Sequence, residues 1–256
     1  PDLTKATRIA VDLETKDPNL IKLGPGWCRN DGYIIGIAVA AGDFHGYYPI
    51  RHAAGNMDKR IVFNWLKKQM STPDVPKVFH NAMYDLGWLR AEGVEVQGKI
   101  IDTMIAAPLV NENRRFYNLN SLARDYLNES KSERILRAAA AEFGVDPKSE
   151  MYKLPSRYVG AYAEQDAAVT LRLYDHLSIL LEKEECTGIF ELESSLLPVI
   201  FEMKTKGVRV DVDKAEQVKK FMAKEEKKLL QEISKETGVM IEPWVATSIA
   251  KTFDFL

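Results

Sequence analysis

Two carboxylates, Asp12 and Glu14, end an apolar run of β type that begins at Arg8. Because strand side chains alternate between two faces, Asp12 and Glu14 are expected to point to the same side. Two acids fixed side by side repel each other unless a cation lies between them, and a divalent metal is the usual cation. Asp-x-Glu alone is more typical of two solvated acids at an exposed strand end, so a metal site needs support from elsewhere in the chain.

Two further pairs of polar residues are spaced by four. Asn81 and Asp85 follow a short apolar run over residues 77–80, while Tyr162 and Asp166 lie near the start of a long helical pattern. Residues four apart share one helix face, so each pair can present its polar groups together. The junction of a strand and a helix is also a usual position for an α/β active site. Taken singly, each pair carries little information, because a Tyr at helical spacing is ordinarily a core residue.

Together the three segments supply four carboxylates, one amide and one phenol, a set that fits two-metal hydrolysis of a phosphodiester. Two Mg²⁺ or Mn²⁺ ions about 3.5–4 Å apart would activate a water and stabilise the leaving 3′ oxygen. Carboxylate oxygens suit these hard cations and disfavour zinc. The sequence therefore predicts a site for two divalent ions, Mg²⁺ or Mn²⁺.

The segments that carry these residues have the periodicities of an α/β protein. Apolar runs of β type predict strands over residues 8–15, 33–41, 44–50 and 77–80, with the second and third joined as a hairpin. Apolar stripes at helical spacing predict helices over residues 58–70, 81–89, 119–127, 133–143 and 158–184. Three consecutive strands, two of them adjacent, indicate a central mixed β-sheet, which the helices would flank.

A segment rich in Pro and Gly, residues 16–32, separates the first strand from the hairpin. Because it leaves the first strand beside the acidic pair, it could place Leu20 or Trp27 against a substrate. Packing of Trp27 within its own loop is the alternative.

Composition restricts the class of protein. The chain has 256 residues, of which 46% are apolar and 28% charged, as in a soluble globular protein. A formal net charge of −2 excludes a global electrostatic attraction to nucleic acid, so such binding would be local and metal-assisted. The two cysteines, Cys28 and Cys186, form neither a metal motif nor a disulfide framework. With no leader and no apolar run of membrane-span length, we expect a cytoplasmic protein without a membrane partner.

The order of the motifs resembles that of DEDDy 3′-to-5′ exonucleases. More narrowly, five segments look like the proofreading domain of family A, polymerase I-like DNA polymerases, with the phage-type branch favoured. The resemblance extends over roughly residues 8–185 and implies an RNase H-like exonuclease fold that shortens single-stranded DNA from its 3′ end. The segments are Val11-Asp-Leu-Glu-Thr15, Asn81-Ala-Met-Tyr-Asp85, Asp102-Thr-Met104, Ser121-Leu-Ala123 and Tyr162-Ala-Glu-Gln-Asp-Ala-Ala-Val-Thr-Leu171.

The resemblance also implies a role for each motif residue. Asp12, Glu14 and Asp166 would hold the first metal and, through it, the attacking water, while Asp12 and the scissile phosphate would bridge to the second. Asp85 would hold that second metal largely through water, because Mg²⁺ gives up its hydration reluctantly. Tyr162 would orient the attacking water rather than remove its proton, since an unperturbed phenol titrates near pKa ~10.

Three residues are candidates for substrate binding. Asn81 would position the terminal nucleotide, and Thr15 directly follows the Asp-x-Glu pair. Arg115 lies among basic and aromatic residues in the segment 111–117, a composition that can hold a phosphate and stack a base. An ordinary solvated loop is an equal expectation for that segment.

The last quarter of the chain resembles the passage from the exonuclease into the polymerase domain. We therefore predict an exonuclease domain over residues 1–187 and the start of a polymerase domain, with a partial thumb helix, over residues 188–256. The palm motifs of nucleotide transfer are absent from these residues, which indicates part of a longer polymerase. The expected partners are the 3′ end of single-stranded DNA and the polymerase domain of the parent chain, with the protein itself a monomer.

Two alternatives remain open. One is an RNase D-like exoribonuclease, against which the polymerase-like C-terminal segment argues. The other is a catalytically silent DNA-binding module, against which the competent residue type at every motif position argues.

Overall fold

The computed structural model describes residues 1–130 and 132–255, with side chains at all of these except 254 and 255. The chain divides into two compact units, Pro1–Lys206 and Gly207–Leu256. Within the described residues, no helix has the length and apolarity needed to cross a membrane.

The first unit is built on a five-stranded sheet with the order β3-β2-β1-β4-β5. β1 and β2, like β2 and β3, pair antiparallel, whereas β4 is parallel to both β1 and β5. This mixed sheet, flanked by helices, confirms the predicted α/β fold. The strands are β1 (Ile9–Lys16), β2 (Tyr33–Ala41), β3 (Phe44–Pro49), β4 (Lys77–Phe79) and β5 (Ile100–Asp102).

Helices cover both faces of the sheet. In the first unit they are α1 (Leu20–Leu23), α2 (Lys59–Met70), α3 (Ala82–Ala91), α4 (Thr103–Val110), α5 (Leu119–Leu127), α6 (Arg134–Phe143), α7 (Gly160–Lys183) and α8 (Thr187–Lys206). In the second unit they are α9 (Val212–Thr237) and α10 (Ala246–Phe255). Single 3₁₀ turns occupy Gly26–Cys28, Met151–Lys153 and Ser156–Tyr158.

The alternation of β1 gives the sheet two different faces. Val11 and Leu13 belong to one apolar cluster, and Ala10 belongs to a second cluster on the face covered by α7. Asp12 and Glu14 share the parity of Ala10 and therefore point to the α7 face. Small side chains on this face leave room for the long helix to lie close to β1 and β2.

The segment over residues 16–32 differs from the predicted loop. It contains the short helix α1 and the 3₁₀ turn Gly26–Cys28. Trp27 is buried and lies against helix α8, with its ring centroid 5.8 Å from that of Phe201. At Gly87 of α3, an added Cβ would come within 2.1 Å of the indole, so only glycine permits this approach. Trp27 is therefore a core residue of the first unit rather than a packing element of its own loop.

The predicted helix over residues 81–89 begins one residue later than expected. Asn81 precedes α3 with φ of +72°, a left-handed conformation that Asn adopts more readily than most residues. The prediction that Asn81 shares a helix face with Asp85 is therefore wrong, because Asn81 belongs to the turn between β4 and α3. Its side chain is exposed, whereas that of Asp85 is buried.

Helix α8 belongs to the first unit. Its residues Leu197 and Phe201 are buried in the same apolar cluster as Trp27 and the β1 residue Leu13. Contacts within the first unit thus continue to Lys206, past residue 187. The assignment of residues 188–256 to a polymerase domain stays a prediction. In the second unit, the Asp211 side chain caps α9 by accepting the Lys214 N–H, and Gly238 ends the helix in a left-handed conformation.

Candidate functional site

Three of the predicted carboxylates come together. Asp12 and Glu14 of β1 and Asp166 of α7 each offer an oxygen, and these oxygens lie within 4.8 Å of one another. Asp166 is buried, and the two β1 acids are half-buried. Three carboxylate oxygens this close are a donor set that fits a hard divalent cation such as Mg²⁺ or Mn²⁺.

The sheet leaves space for this cluster. Opposite Asp12 in the neighbouring strand is Ala38, and opposite Glu14 is Gly36, so no large side chain crowds the acids from β2. The helix α7 turns Ala163 and Ala167 inward on either side of Asp166. Small residues on both elements therefore let the acid of the helix approach the two acids of the strand.

The fourth carboxylate, Asp85, lies on the β1 side of α3. Its Oδ1 accepts a hydrogen bond from the backbone N–H of Leu13, at 3.1 Å, which places it beside the strand segment that carries the other acids. Burial, and then the charge of Asp12, hold the pKa of Asp85 well above its usual range, although the Leu13 N–H acts in the opposite direction. A buried carboxylate in this setting is stabilised in its charged form by a nearby cation.

Asp102, known from the sequence only as part of a motif, fixes the turn that leads to Asp85. Its Oδ1 accepts from the N–H of Asn81 at 2.9 Å and of Met104 at 2.8 Å, and its Oδ2 accepts from the N–H of Ala82 at 2.7 Å. Burial raises the pKa of Asp102, opposed by these three hydrogen bonds. One side chain thus accepts from N–H groups in the first turns of both α3 and α4.

Tyr162 stands one helical turn before Asp166 on α7 and hydrogen-bonds to its side chain. Burial is the largest cause that raises the pKa of this phenol, followed by the charges of Glu14 and Asp166. The phenol is consequently neutral throughout the physiological range. The pairing of Tyr162 with Asp166, expected from their spacing of four, is present.

Behind the acids lies a second tyrosine that the sequence did not single out. The Tyr47 hydroxyl is 2.5 Å from Nε2 of His52, whose Nδ1 is 3.1 Å from the Leu154 carbonyl. Since that carbonyl can only accept, Nδ1 carries the hydrogen and Tyr47 donates to Nε2. Burial, then the charges of Glu14 and Asp12, raises the pKa of Tyr47. No local pattern in the chain marks this pair, because it forms only when β3 and the segment after it fold together.

Glycine at position 36 is required by this second tyrosine. A Cβ added to Gly36 would lie 1.9 Å from the Tyr47 hydroxyl oxygen. Gly36 is also the partner of Glu14 in the sheet. The phenol of Tyr47, which lies over Gly36, is therefore next to that acid.

Two of the predicted substrate-binding residues, Thr15 and Arg115, lie in different parts of the structure. Thr15 lies beside the acids, and its hydroxyl is 2.7 Å from that of Tyr84, which also donates to Asp17 at 3.2 Å. Burial is the main cause that raises the pKa of Tyr84 to about 12. Arg115 is exposed and lies 5.2 Å from the ring centre of Phe116. The described contacts do not bring Arg115 to the acidic cluster.

An open cleft of about 570 Å³ leads away from the acids. It runs along the end of β1 and α1 on one stretch of chain and along the segment after α6 on another. Its lining comprises Leu13, Glu14, Thr15, Asp17, Pro18, Asn19, Leu20, Ile21, Lys22, Tyr84, Lys148, Ser149, Met151 and Tyr162.

Comparison with known proteins agrees with this geometry. The family model described as 3′-5′ exonuclease matches residues 2–182. A DNA-directed DNA polymerase of Pseudomonas phage M6 is 34% identical over 264 residues, which cover all of this chain and 40% of the phage protein. The chain thus spans about two fifths of the length of that curated relative.

Two solved structures share the fold. The POL domain of Pol1 from M. smegmatis, in complex with DNA primer-template and dNTP, superposes with a TM-score of 0.67 at 20% identity, over 99% of this chain and 38% of that one. Brucella melitensis NrnC with bound Mg²⁺ gives a TM-score of 0.59 at 21% identity, over 81% of this chain and 90% of that one.

Proposed function

Because the chain belongs to the 3′-5′ exonuclease family of family A DNA polymerases, we propose that it hydrolyses single-stranded DNA from the 3′ end, one nucleotide at a time. The observation that carries this proposal is the convergence of Asp12, Glu14 and Asp166 within 4.8 Å on a strand and a helix of an RNase H-like fold. The buried Asp85 adds a fourth acid at the same end of β1.

In this proposal the four acids hold two divalent ions, Mg²⁺ or Mn²⁺. Asp12, Glu14 and Asp166 would hold the first ion, Asp12 would also contribute to the second, and Asp85 would hold that second ion largely through water. When bound, the ions lower the pKa of the attacking water and offset the charge that develops on the leaving 3′ oxygen. The raised pKa of Asp85 supports this assignment, because a buried acid among acids favours a cation as its neighbour.

The reaction forms one bond and breaks another. A water oxygen attacks the phosphorus of the last phosphodiester, and the bond between that phosphorus and the 3′ oxygen of the preceding nucleotide breaks. The products are a nucleoside 5′-monophosphate and a strand shortened by one nucleotide, and the proton lost by the water balances the one gained by the new 3′ hydroxyl.

Tyr162 orients the water in this reaction. Its phenol is neutral and already hydrogen-bonded to Asp166, so its oxygen is available to accept a hydrogen bond from the attacking water. Proton removal by this phenol would require an ionised oxygen, which burial disfavours. Asn81 and Thr15 are proposed to contact the terminal nucleotide, with Arg115 as a candidate for a more distant phosphate.

We further propose that the chain is part of a longer DNA polymerase that acts as a monomer in the cytoplasm of a bacterium or a phage-infected host. The phage relative, of which this chain covers 40%, supports a larger parent protein. In this view residues 1–187 form the proofreading exonuclease, residues 188–256 begin the polymerase domain, and that domain delivers the 3′ end.

The test is digestion of a 5′-labelled single-stranded DNA oligonucleotide with Mg²⁺, with Mn²⁺ and with chelator. We expect a ladder that shortens from the 3′ end only when metal is present, and no ladder for the Asp166→Ala variant. A matched RNA oligonucleotide, cleaved as fast as the DNA, would favour the exoribonuclease alternative. A folded protein that binds the oligonucleotide but releases no nucleotide would contradict the proposal and favour a silent binding module.

A further inference from the structure

The cleft that leads from the acids carries two lysines. Lys22 lies on α1, directly after the strand that holds Asp12 and Glu14, and Lys148 lies between α6 and α7. Among the described residues that line the cleft, these two alone carry positive charge at neutral pH. Two segments far apart in sequence thus each bring one cation to the lining of an otherwise acidic cleft.

Neither lysine is strongly engaged within the protein. The Lys148 ammonium is 3.9 Å from Glu133, at the outer limit of an ion pair, and that acid is held at 2.5 Å by Arg137. Among the described side chains, those of residues 1–130 and 132–253, no acidic group lies within ion-pair distance of Lys22. Both ammonium groups are consequently available to an anion that enters the cleft.

The backbone that carries Lys148 is nevertheless fixed. Oδ1 of Asp146 accepts from the backbone N–H of Lys148 at 3.0 Å and of Ser149 at 2.7 Å. Ser149 also donates its hydroxyl to the same oxygen, at 2.8 Å. A fixed backbone with a weakly paired ammonium places the charge at the cleft with little loss of conformational entropy in the main chain.

The chemistry of the proposed substrate identifies the anion. A 3′-terminal nucleotide ends in a hydroxyl group, and its single phosphate is the one that is hydrolysed. Any further phosphate must therefore lie on the 5′ side of the scissile bond. In the proposed function, the acids and their ions bind the scissile phosphate. A cation elsewhere in the cleft is therefore placed to bind the phosphates on its 5′ side.

We propose that Lys22 and Lys148 bind the phosphates immediately 5′ of the scissile phosphate and thereby hold the strand while its end is hydrolysed. This inference rests on the proposed exonuclease function. In this arrangement the affinity of the protein for a strand depends on how many phosphates the lysines can contact. The hydrolytic step depends on the acids.

The test compares two substrates in the presence of Mn²⁺. A dinucleotide without a 5′ phosphate has only the scissile phosphate, whereas a tetranucleotide without a 5′ phosphate has two more on its 5′ side, one for each lysine. We expect Lys22→Met and Lys148→Met each to raise KM for the tetranucleotide by about threefold to tenfold with kcat nearly unchanged, as for loss of one exposed charge-assisted contact. Both parameters for the dinucleotide should stay at the wild-type values.

Salt dependence gives a second measurement. The slope of log kcat/KM against log salt for a longer single strand should become shallower by about 0.7 for each lost phosphate contact. The matched control is Lys183→Met, an exposed lysine on α7 that lies about 30 Å along the helix from Tyr162. This variant should match the wild type with every substrate.

Three results would overturn the inference. Equal losses on the dinucleotide and the tetranucleotide would mean that the lysines act on the scissile phosphate. Wild-type behaviour of both variants on every strand would mean that the cleft lysines do not contact the substrate. A wild-type protein that cleaves no substrate would overturn the proposed function and this inference with it, whereas the first two results leave the exonuclease function standing.

Discussion

Two ionisable side chains are buried near the two ends of β4, and their surroundings differ. Lys77 begins the strand, and its ammonium donates to the backbone carbonyls of Thr72 and Gln97, the latter at 2.7 Å. Asp85 lies on the helix that follows the strand, where it accepts from Leu13 and faces the charge of Asp12. The protein supplies partners for the buried cation, whereas it surrounds the buried anion with further anions.

This difference separates a structural charge, that of Lys77, from the charge that we propose to be functional, that of Asp85. Burial lowers the pKa of Lys77 to about 8, yet a neutral amine still has two N–H donors for its two carbonyls. At the other end, burial and then the charge of Asp12 raise the pKa of Asp85, so either a proton or an added cation is needed to relieve the repulsion. The carboxyl end of a parallel strand is the usual functional end of an α/β sheet, and the site that we propose lies beyond that end of β4.

The largest expected effect comes from removing two acids at once. Asp12→Ala together with Glu14→Ala should lower the rate of DNA hydrolysis by about a thousandfold or more, because the ions lose most of their ligands. Without metal, the variant should unfold at the same temperature as the wild type or higher, since a cluster of like charges is removed. Hydrolysis assays and thermal unfolding in chelator measure the two effects.

The control for that variant is an exposed acidic pair on α9, Asp213→Ala together with Glu216→Ala, which should keep full activity. A clear drop in the unfolding temperature of the Asp12 and Glu14 variant in chelator would contradict the view that these acids oppose folding.

Metal binding itself should stabilise the wild type. At an ion concentration about one hundred times Kd, the free energy of unfolding should rise by about 2.7 kcal/mol, because the ion binds only the folded state. The Asp12 and Glu14 variant should show little of this increase, while Lys77→Met should show all of it. Thermal unfolding with graded Mg²⁺ and Mn²⁺ measures the increase, and an equal shift in all three proteins would refute a site at these acids.

The smallest effect concerns Lys77. Lys77→Met should lower the free energy of unfolding by about 1–3 kcal/mol at pH 7, because two carbonyls lose their donor. The folded pKa of about 8 lies below the ordinary value of 10.5, so the unfolded state binds more protons between these pH values. The stability of the wild type should therefore rise relative to the variant as pH increases through this window.

Denaturant unfolding of both proteins at pH 7, 8, 9 and 10 measures this dependence. Lys68→Met, an exposed lysine paired with Asp2, is the matched control and should show no such trend. If the difference in the free energy of unfolding between the wild type and Lys77→Met becomes smaller above pH 8, the prediction is contradicted.

Much of the site was predictable because its residues lie on elements with strong local patterns. The strand before Asp12 and the helix that bears Tyr162 and Asp166 follow from periodicity, and alternation places Asp12 and Glu14 on one face. The error at Asn81 has a physical cause. Its left-handed turn is held by Asp102, which is 21 residues away in the chain, so no local pattern shows where the helix begins.

The sequence by itself determined the strands β1 to β4, the helices α2, α3, α5, α6 and α7, the residue types of the acidic cluster and the family to which the chain belongs. Only the tertiary structure brought Tyr47 and His52 behind Glu14, buried Trp27 under α8, and placed Lys148 in the cleft beside the acids. The reason is that local periodicity reports which face of an element is apolar. What that face meets depends on packing between distant segments, and burial and pKa values follow from that packing.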